Sequence, residues 1–163
     1  MKFRKIGILT VVFVFVCMLF TTGCNIFNQT LPVVGDSMLP TLKNEDKISV
    51  TRNFLPLERG DIIAFNKKAK VDGPIIKRVI ALPGEEIDID FERGIVYVNG
   101  IAIDEPYIKE PTLMKKDVDF PQVVPEDCVF VLGDNRNASH DSRTVDVGFV
   151  SYESIIGKMV SKR

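Results

Sequence analysis

The sequence predicts a mainly β protein, a single domain of antiparallel sheets behind one N-terminal transmembrane helix. Three observations carry this. Apolar residues alternate with polar ones over short runs from about residue 30 onward. Turn residues punctuate those runs, including one Asn-Gly pair between two apolar stretches. Ahead of them lies a long uncharged segment with basic residues on its N-terminal side.

Taken in order, Lys2, Arg4 and Lys5 precede an uncharged run from Ile6 to Phe27. Those residues would span roughly 33 Å as a helix, enough for a hydrocarbon core of about 30 Å. Residues 1–28 read as an uncleaved anchor, with the N-terminus cytoplasmic and residues 29–163 forming an extracytoplasmic domain. A cleaved signal peptide is one alternative. Thr22-Gly23-Cys24 raises another, lipidation of Cys24, although Thr21 stands where an aliphatic residue would be expected. Membrane lipid is thus an expected partner. Only nine residues separate Phe27 from Ser37, so Ser37 would lie close to the bilayer.

In the exported part, Lys47–Val50, Asp61–Phe65, Pro74–Leu82 and Cys128–Leu132 read as strands. Glu86-Ile87-Asp88-Ile89-Asp90 alternates as a half-buried strand should. Ile95–Val98, Asn99-Gly100 and Ile101–Ile103 predict a hairpin, since Asn-Gly supplies the positive φ angles of a type I′ turn. Residues 104–125 carry prolines and mixed charge and read as a loop. Tyr152–Val160 is ambiguous and reads as a short helix.

Composition excludes some functions. The formal net charge is −1, which gives no reason to expect nucleic-acid binding. Cys17, Cys24 and Cys128 show neither a pairing pattern nor metal-ligand spacing, and Cys128 reads as a small buried apolar residue. No metal or cofactor is implied. Nothing fixes the oligomeric state.

The chemistry centres on Val33-Val34-Gly35-Asp36-Ser37-Met38-Leu39-Pro40. The valines favour a strand, Gly35 permits a turn, and Pro40 keeps Leu39 out of the helical region. Ser37 therefore sits on a stiff, non-helical shoulder, either as an ordinary turn residue or as a nucleophile. A nucleophile needs a base. His140 is the sole histidine, but its neighbour Asp141 would point to the opposite face in extended chain, and the polar surroundings suggest a solvated loop residue. Lys77 lies in the apolar run Ile75–Leu82. On a strand, Lys77 and Arg78 point opposite ways, one toward the core and one toward water. A buried lysine loses solvation of its charged form, so a neutral amine becomes accessible. Exposure at a sheet edge is the alternative.

Four stretches now stand in order: Gly35–Thr41, Arg59-Gly60-Asp61, Lys77–Glu85 and Gly133–Arg143. Together they resemble the ordered boxes of bacterial type I signal peptidases, of the small Gram-positive-like form. The resemblance covers the anchor and nearly the whole exported part. It implies a membrane-bound Ser-Lys endopeptidase on antiparallel sheets or a partly open β-barrel, with Ser37 as nucleophile and Lys77 as general base. It implies that Ser139 hydrogen-bonds the lysine amine, that Asp141 and Arg143 form a supporting charged pair, and that Asp134 and Arg136 have related structural roles. The implied partners are signal peptides of exported preproteins, cut after small residues at −1 and −3. Val33, Met38 and Ile76 are the expected walls of shallow substrate pockets. One position departs from the family pattern: some members carry a hydroxyl residue two before the nucleophile as an oxyanion donor, and here that residue is Gly35. With 56 residues between Lys77 and Asp134, the large extra domain of some relatives is expected to be absent. A self-cleaving repressor-type Ser-Lys protease, or a tethered lipoprotein with an inert Ser37 and Lys77, are the competing readings.

Overall fold

The structure, a computed structural model, describes residues 28–67 and 73–163. The expected anchor and Cys17 and Cys24 lie outside the described residues. Among the described residues no helix is long and apolar enough to cross a membrane.

The chain folds as two antiparallel sheets. In sequence the strands are β1 (Asn28–Pro32), β2 (Lys47–Thr51), β3 (Ile62–Phe65), β4 (Ile75–Ala81), β5 (Glu86–Asp90), β6 (Ile95–Val98), β7 (Ile101–Ala102), β8 (Gln122–Val123), β9 (Cys128–Leu132), β10 (Val150–Ser151) and β11 (Ile155–Lys162). The larger sheet runs β1-β2-β11-β3-β4-β9-β10 and the smaller β7-β6-β5-β8. The larger sheet curls into a half-barrel whose end strands, β1 and β10, do not meet. The antiparallel pairing is what the alternating runs predict, and the open curl is what the family resemblance implies.

Most strands fall where the sequence puts them. β5 keeps its alternation, with Ile87 and Ile89 buried and Glu86 and Asp88 exposed. Asn99 and Gly100 both take positive φ, 51° and 74°, and Val98 faces Ile101 across the turn. Residues 104–121 form an irregular excursion that returns through the two-residue β8 beside β5.

Three expectations need correction. Residues 152–160 are not helical. A 3-10 turn at Tyr152–Ser154 leads into β11, which slots between β2 and β3. Ile155, Ile156 and Val160 are β-branched, and two neighbouring strands offer hydrogen bonds on both sides, so tertiary pairing overrides the helical reading. Arg78 does not face water: Lys77 is 4% exposed and Arg78 8%. β4 is paired on both sides, by β3 and β9, and every residue in it is buried. Cys128 is only half-buried.

Three apolar clusters fill the fold. The first joins Ile63, Phe65, Ile75, Val79, Val129 and Val131. The second packs Val33, Met38 and Leu42 with Ile48, Ile62 and Ile76. The third lies between the sheets, with Ile80, Ile87, Val96, Phe130 and Leu132 among its members. The second cluster matters for function, since it fastens the segment after β1 to the start of β4. Met38 and Leu42 are 1% and 0% exposed. They act as two apolar pegs that hold the intervening chain down.

Candidate active site

Residues 33–42 form a turn-rich loop with its own hydrogen bonds. The Gly35 N–H donates to Asn44 Oδ1 at 2.8 Å, the Leu39 N–H to the Asp36 carbonyl at 3.2 Å, and the Leu42 N–H to the Met38 carbonyl at 2.9 Å. Gly35 takes φ +83°, a conformation that disfavours any side chain. The loop presents Ser37 half-buried at its crest.

β4 delivers Lys77 to the same point. Lys77 pairs with Ile63 in the β3–β4 ladder, so its backbone is fixed by the sheet. Its Nζ donates to Ser37 Oγ at 2.7 Å and to the Ile76 carbonyl at 2.8 Å. Burial lowers the Lys77 pKa from 10.5 to about 8, because the charged form loses hydration. The Asp141 and Asp134 charges work in the opposite direction. With a pKa near 8, about one molecule in ten carries a neutral amine at pH 7. In that form Nζ has a lone pair within reach of the Ser37 hydroxyl, an arrangement that can support proton abstraction.

The loop from Gly133 to Arg143 closes the site from behind. Asp141 and Arg143 are fully buried and joined by two parallel hydrogen bonds of 2.8 Å. Asp141 Oδ2 also accepts the Gly133 N–H at 3.1 Å. Gly133 passes so close to the Ser37 loop that a β-carbon on it would lie 2.5 Å from the Ser37 carbonyl oxygen, and nearer still to Ser139 Oγ. Ser139 is thus placed beside the Ser37 backbone and is 2% exposed. The expected hydrogen bond from Ser139 to the lysine is not among those formed: Ser139 Oγ is buried without a partner among the described residues.

Asp134 and Arg136 do not pair with each other. Asp134 receives Arg78 through Nε at 2.8 Å and Nη2 at 2.6 Å, and accepts Thr41 Oγ1 at 2.5 Å. Arg78 also stacks 4.0 Å from the centre of the Tyr107 ring. The carboxylate therefore ties β4 to the end of the Ser37 loop. Arg136 reaches into the 104–121 excursion, with a bidentate grip on Glu105 and a 2.8 Å bond to Thr112. Thr41, Tyr107 and Glu105 were not distinguished in the sequence. Their partners lie 93, 29 and 31 positions away in the chain, and no local pattern encodes such pairings. Asn135 lies inside the Gly133–Arg143 stretch, but no sequence signal assigns it a role; its N–H donates to the Ser37 carbonyl at 3.0 Å and its Nδ2 to the Asp36 carbonyl at 3.0 Å.

A cleft of about 450 Å³ runs past Ser37 between the 32–38 loop and the start of β4. Val33, Met38 and Ile76 are among its lining residues, all largely buried, with the 83% exposed Val34 at its rim. His140 also borders it but bonds Asp146 at 2.9 Å, not Asp141. It is exposed, as the sequence suggests.

A buried amine thus stands within hydrogen-bond reach of a loop serine in an apolar cleft. A family model described as signal peptidase, peptidase S26, matches residues 6–162. The chain belongs to the S26 signal peptidase family. It is 39% identical to signal peptidase I of Bacillus caldolyticus, over 90% of this chain and 85% of that one. It is 34% identical to signal peptidase I U of Bacillus subtilis, over 96% and 85%. The probable signal peptidase I-1 of Synechocystis is 42% identical, with 77% of this chain matched to 65% of that protein. Among solved structures, a signal peptidase I from Enterococcus faecalis V583 superposes with a TM-score of 0.51 at 33% identity, covering 64% of this chain and 96% of that one.

Proposed function

We propose that the protein removes signal peptides from exported preproteins, cutting after small residues at −1 and −3, as a membrane-bound serine endopeptidase. The observation that carries this reading is the 2.7 Å contact between Ser37 Oγ and the buried Lys77 Nζ. Neutral Lys77 takes the Ser37 proton as Oγ attacks the carbonyl of the residue at −1. The tetrahedral intermediate collapses when Lys77 gives that proton to the departing amine, leaving an acyl-enzyme. A water then repeats the cycle, with Lys77 accepting its proton and returning it to Ser37. Asp141 and Arg143 support the dyad by holding Gly133 and its loop in place, with Ser139 packed beside the Ser37 backbone.

Substrate recognition follows from strand geometry. An extended peptide turns alternate side chains to one side, so −1 and −3 face a wall and −2 does not. The largely buried Val33, Met38 and Ile76 offer a shallow apolar floor, which suits small side chains. An anchor at residues 1–28 would keep this cleft at the membrane, where the substrate's own apolar segment lies.

The test is cleavage of a preprotein by the purified full chain and by Ser37→Ala and Lys77→Met. Each substitution is expected to lower kcat by about 10³ or more. In the unsubstituted protein, kcat/KM should climb about tenfold per pH unit below pH 8 and level off above it, because the neutral amine is the active form. Full processing by either variant, or a flat profile between pH 6 and 9, would overturn the assignment.

A further inference from the structure

From the way the Ser37 loop is gripped we infer that Asn135 is a positioning residue, whose side-chain amide aims the Ser37 N–H at the oxyanion. This rests on the peptidase reading above and addresses the gap at Gly35, which has no hydroxyl to offer. The Asp36–Ser37 peptide bond is trans. In a trans peptide the C=O and the following N–H point in opposite directions. Fixing the Asp36 carbonyl therefore fixes the Ser37 N–H.

Two donors fix that carbonyl: the Leu39 N–H at 3.2 Å, from within the loop, and Asn135 Nδ2 at 3.0 Å, from the loop behind. The Asn135 N–H holds the next carbonyl, that of Ser37, at 3.0 Å. Both carbonyls flanking the nucleophile are thus drawn toward the 133–139 loop. The Ser37 N–H is turned the other way and enters none of the hydrogen bonds among the described residues. Asn135 is 2% exposed, so water does not compete for its amide. Its orientation is not interchangeable. Rotating the amide would set Oδ1 against the Asp36 carbonyl, oxygen on oxygen, whereas as placed Oδ1 is simply buried without a partner. The loop alone would hold the Asp36 carbonyl by one long bond; with Asn135 it is held by two, and the donor that stabilises developing negative charge is preorganised.

The experiment compares Asn135→Ala and Asn135→Asp in the full-length, detergent-solubilised chain, using a preprotein substrate and two inhibitors. One is a peptide aldehyde, which forms a tetrahedral oxyanion on Ser37. The other is the same peptide with a reduced CH₂–NH bond in place of the scissile amide, which has no oxygen to stabilise. Both variants are expected to lose about 10- to 10²-fold in kcat, less than the loss of a whole donor, with KM within about twofold. Aldehyde affinity should fall by the same factor as kcat, and reduced-amide affinity should stay unchanged. Equal losses for both inhibitors, or none, would overturn the inference. Should the variants fold poorly, ¹⁵N-serine labelling of the unsubstituted protein decides: the Ser37 amide, identified by its loss in Ser37→Ala, must move downfield with the aldehyde and not with the reduced amide. A Ser37 amide that ignores the aldehyde would refute the proposal. Processing by Ser37→Ala, in contrast, would sink the peptidase reading itself.

Discussion

Lys77→Met separates the energetic cost of the buried amine from its chemistry. Its folded-state pKa of about 8 lies below the ordinary 10.5. Between those values the unfolded chain binds a proton that the folded chain does not, so stability rises with pH across that window. At about 1.4 kcal/mol per tenfold change, the difference amounts to about 3 kcal/mol. Solvent screening takes little from it, since Lys77 is 4% exposed. Below pH 8 the amine is charged in both states and the folded protein bears the whole cost. Above about pH 10.5 the amine is neutral in both states and the cost is gone. Methionine has similar length and no charge, so the variant lacks this dependence. It also loses the bonds to Ser37 Oγ and the Ile76 carbonyl, a constant offset of about 1–3 kcal/mol. The assay is urea unfolding of both full-length proteins in detergent, followed by far-ultraviolet circular dichroism from pH 7 to 10.5. The other titrating groups are common to both and cancel. The stability of the unsubstituted protein, relative to the variant, should rise by about 3 kcal/mol over that range. Parallel curves would refute the argument that burial, rather than some compensating partner, sets the state of Lys77.

Asp134→Ala leaves Arg78 buried without its carboxylate and unhooks Thr41, and should cost about 3–5 kcal/mol in chemical unfolding; a loss under 1 kcal/mol would mean the pair is dispensable. Gly133→Ala would push the Ser37 carbonyl away from its β-carbon, and the overpacking should cost about 1–3 kcal/mol with a fall in cleavage rate of at least tenfold. Unchanged cleavage by that variant would show that the Ser37 loop tolerates displacement. His140→Ala should leave cleavage within about twofold, because the imidazole pairs with Asp146 and makes no hydrogen bond to Ser37 or Lys77; a hundredfold loss would point to histidine as the base.

The β class, the hairpin at Asn99-Gly100 and the prominence of Ser37 and Lys77 were all legible before the fold was known. Each is a local property: a period of two, a turn that demands positive φ, a cation in an apolar run. The strand at 155–162 was not legible. Its local pattern suits either helix or strand, and only its neighbours β2 and β3 choose. Arg78 was misplaced because alternation says which way a side chain points but not whether something covers it.

What the amino-acid order determined by itself was therefore the set of parts: a serine on a rigid shoulder, an amine in an apolar strand, and a charged loop between Gly133 and Arg143. Tertiary structure alone decided their partners. It set the amine 2.7 Å from a hydroxyl 40 residues away, gave Asp134 to Arg78 and Arg136 to Glu105, and buried the Arg143–Asp141 pair behind Gly133. The reason is physical: the chemistry of a side chain travels with its residue, whereas its solvation, and with it the proton affinity of Lys77, is conferred by whatever the rest of the fold packs around it.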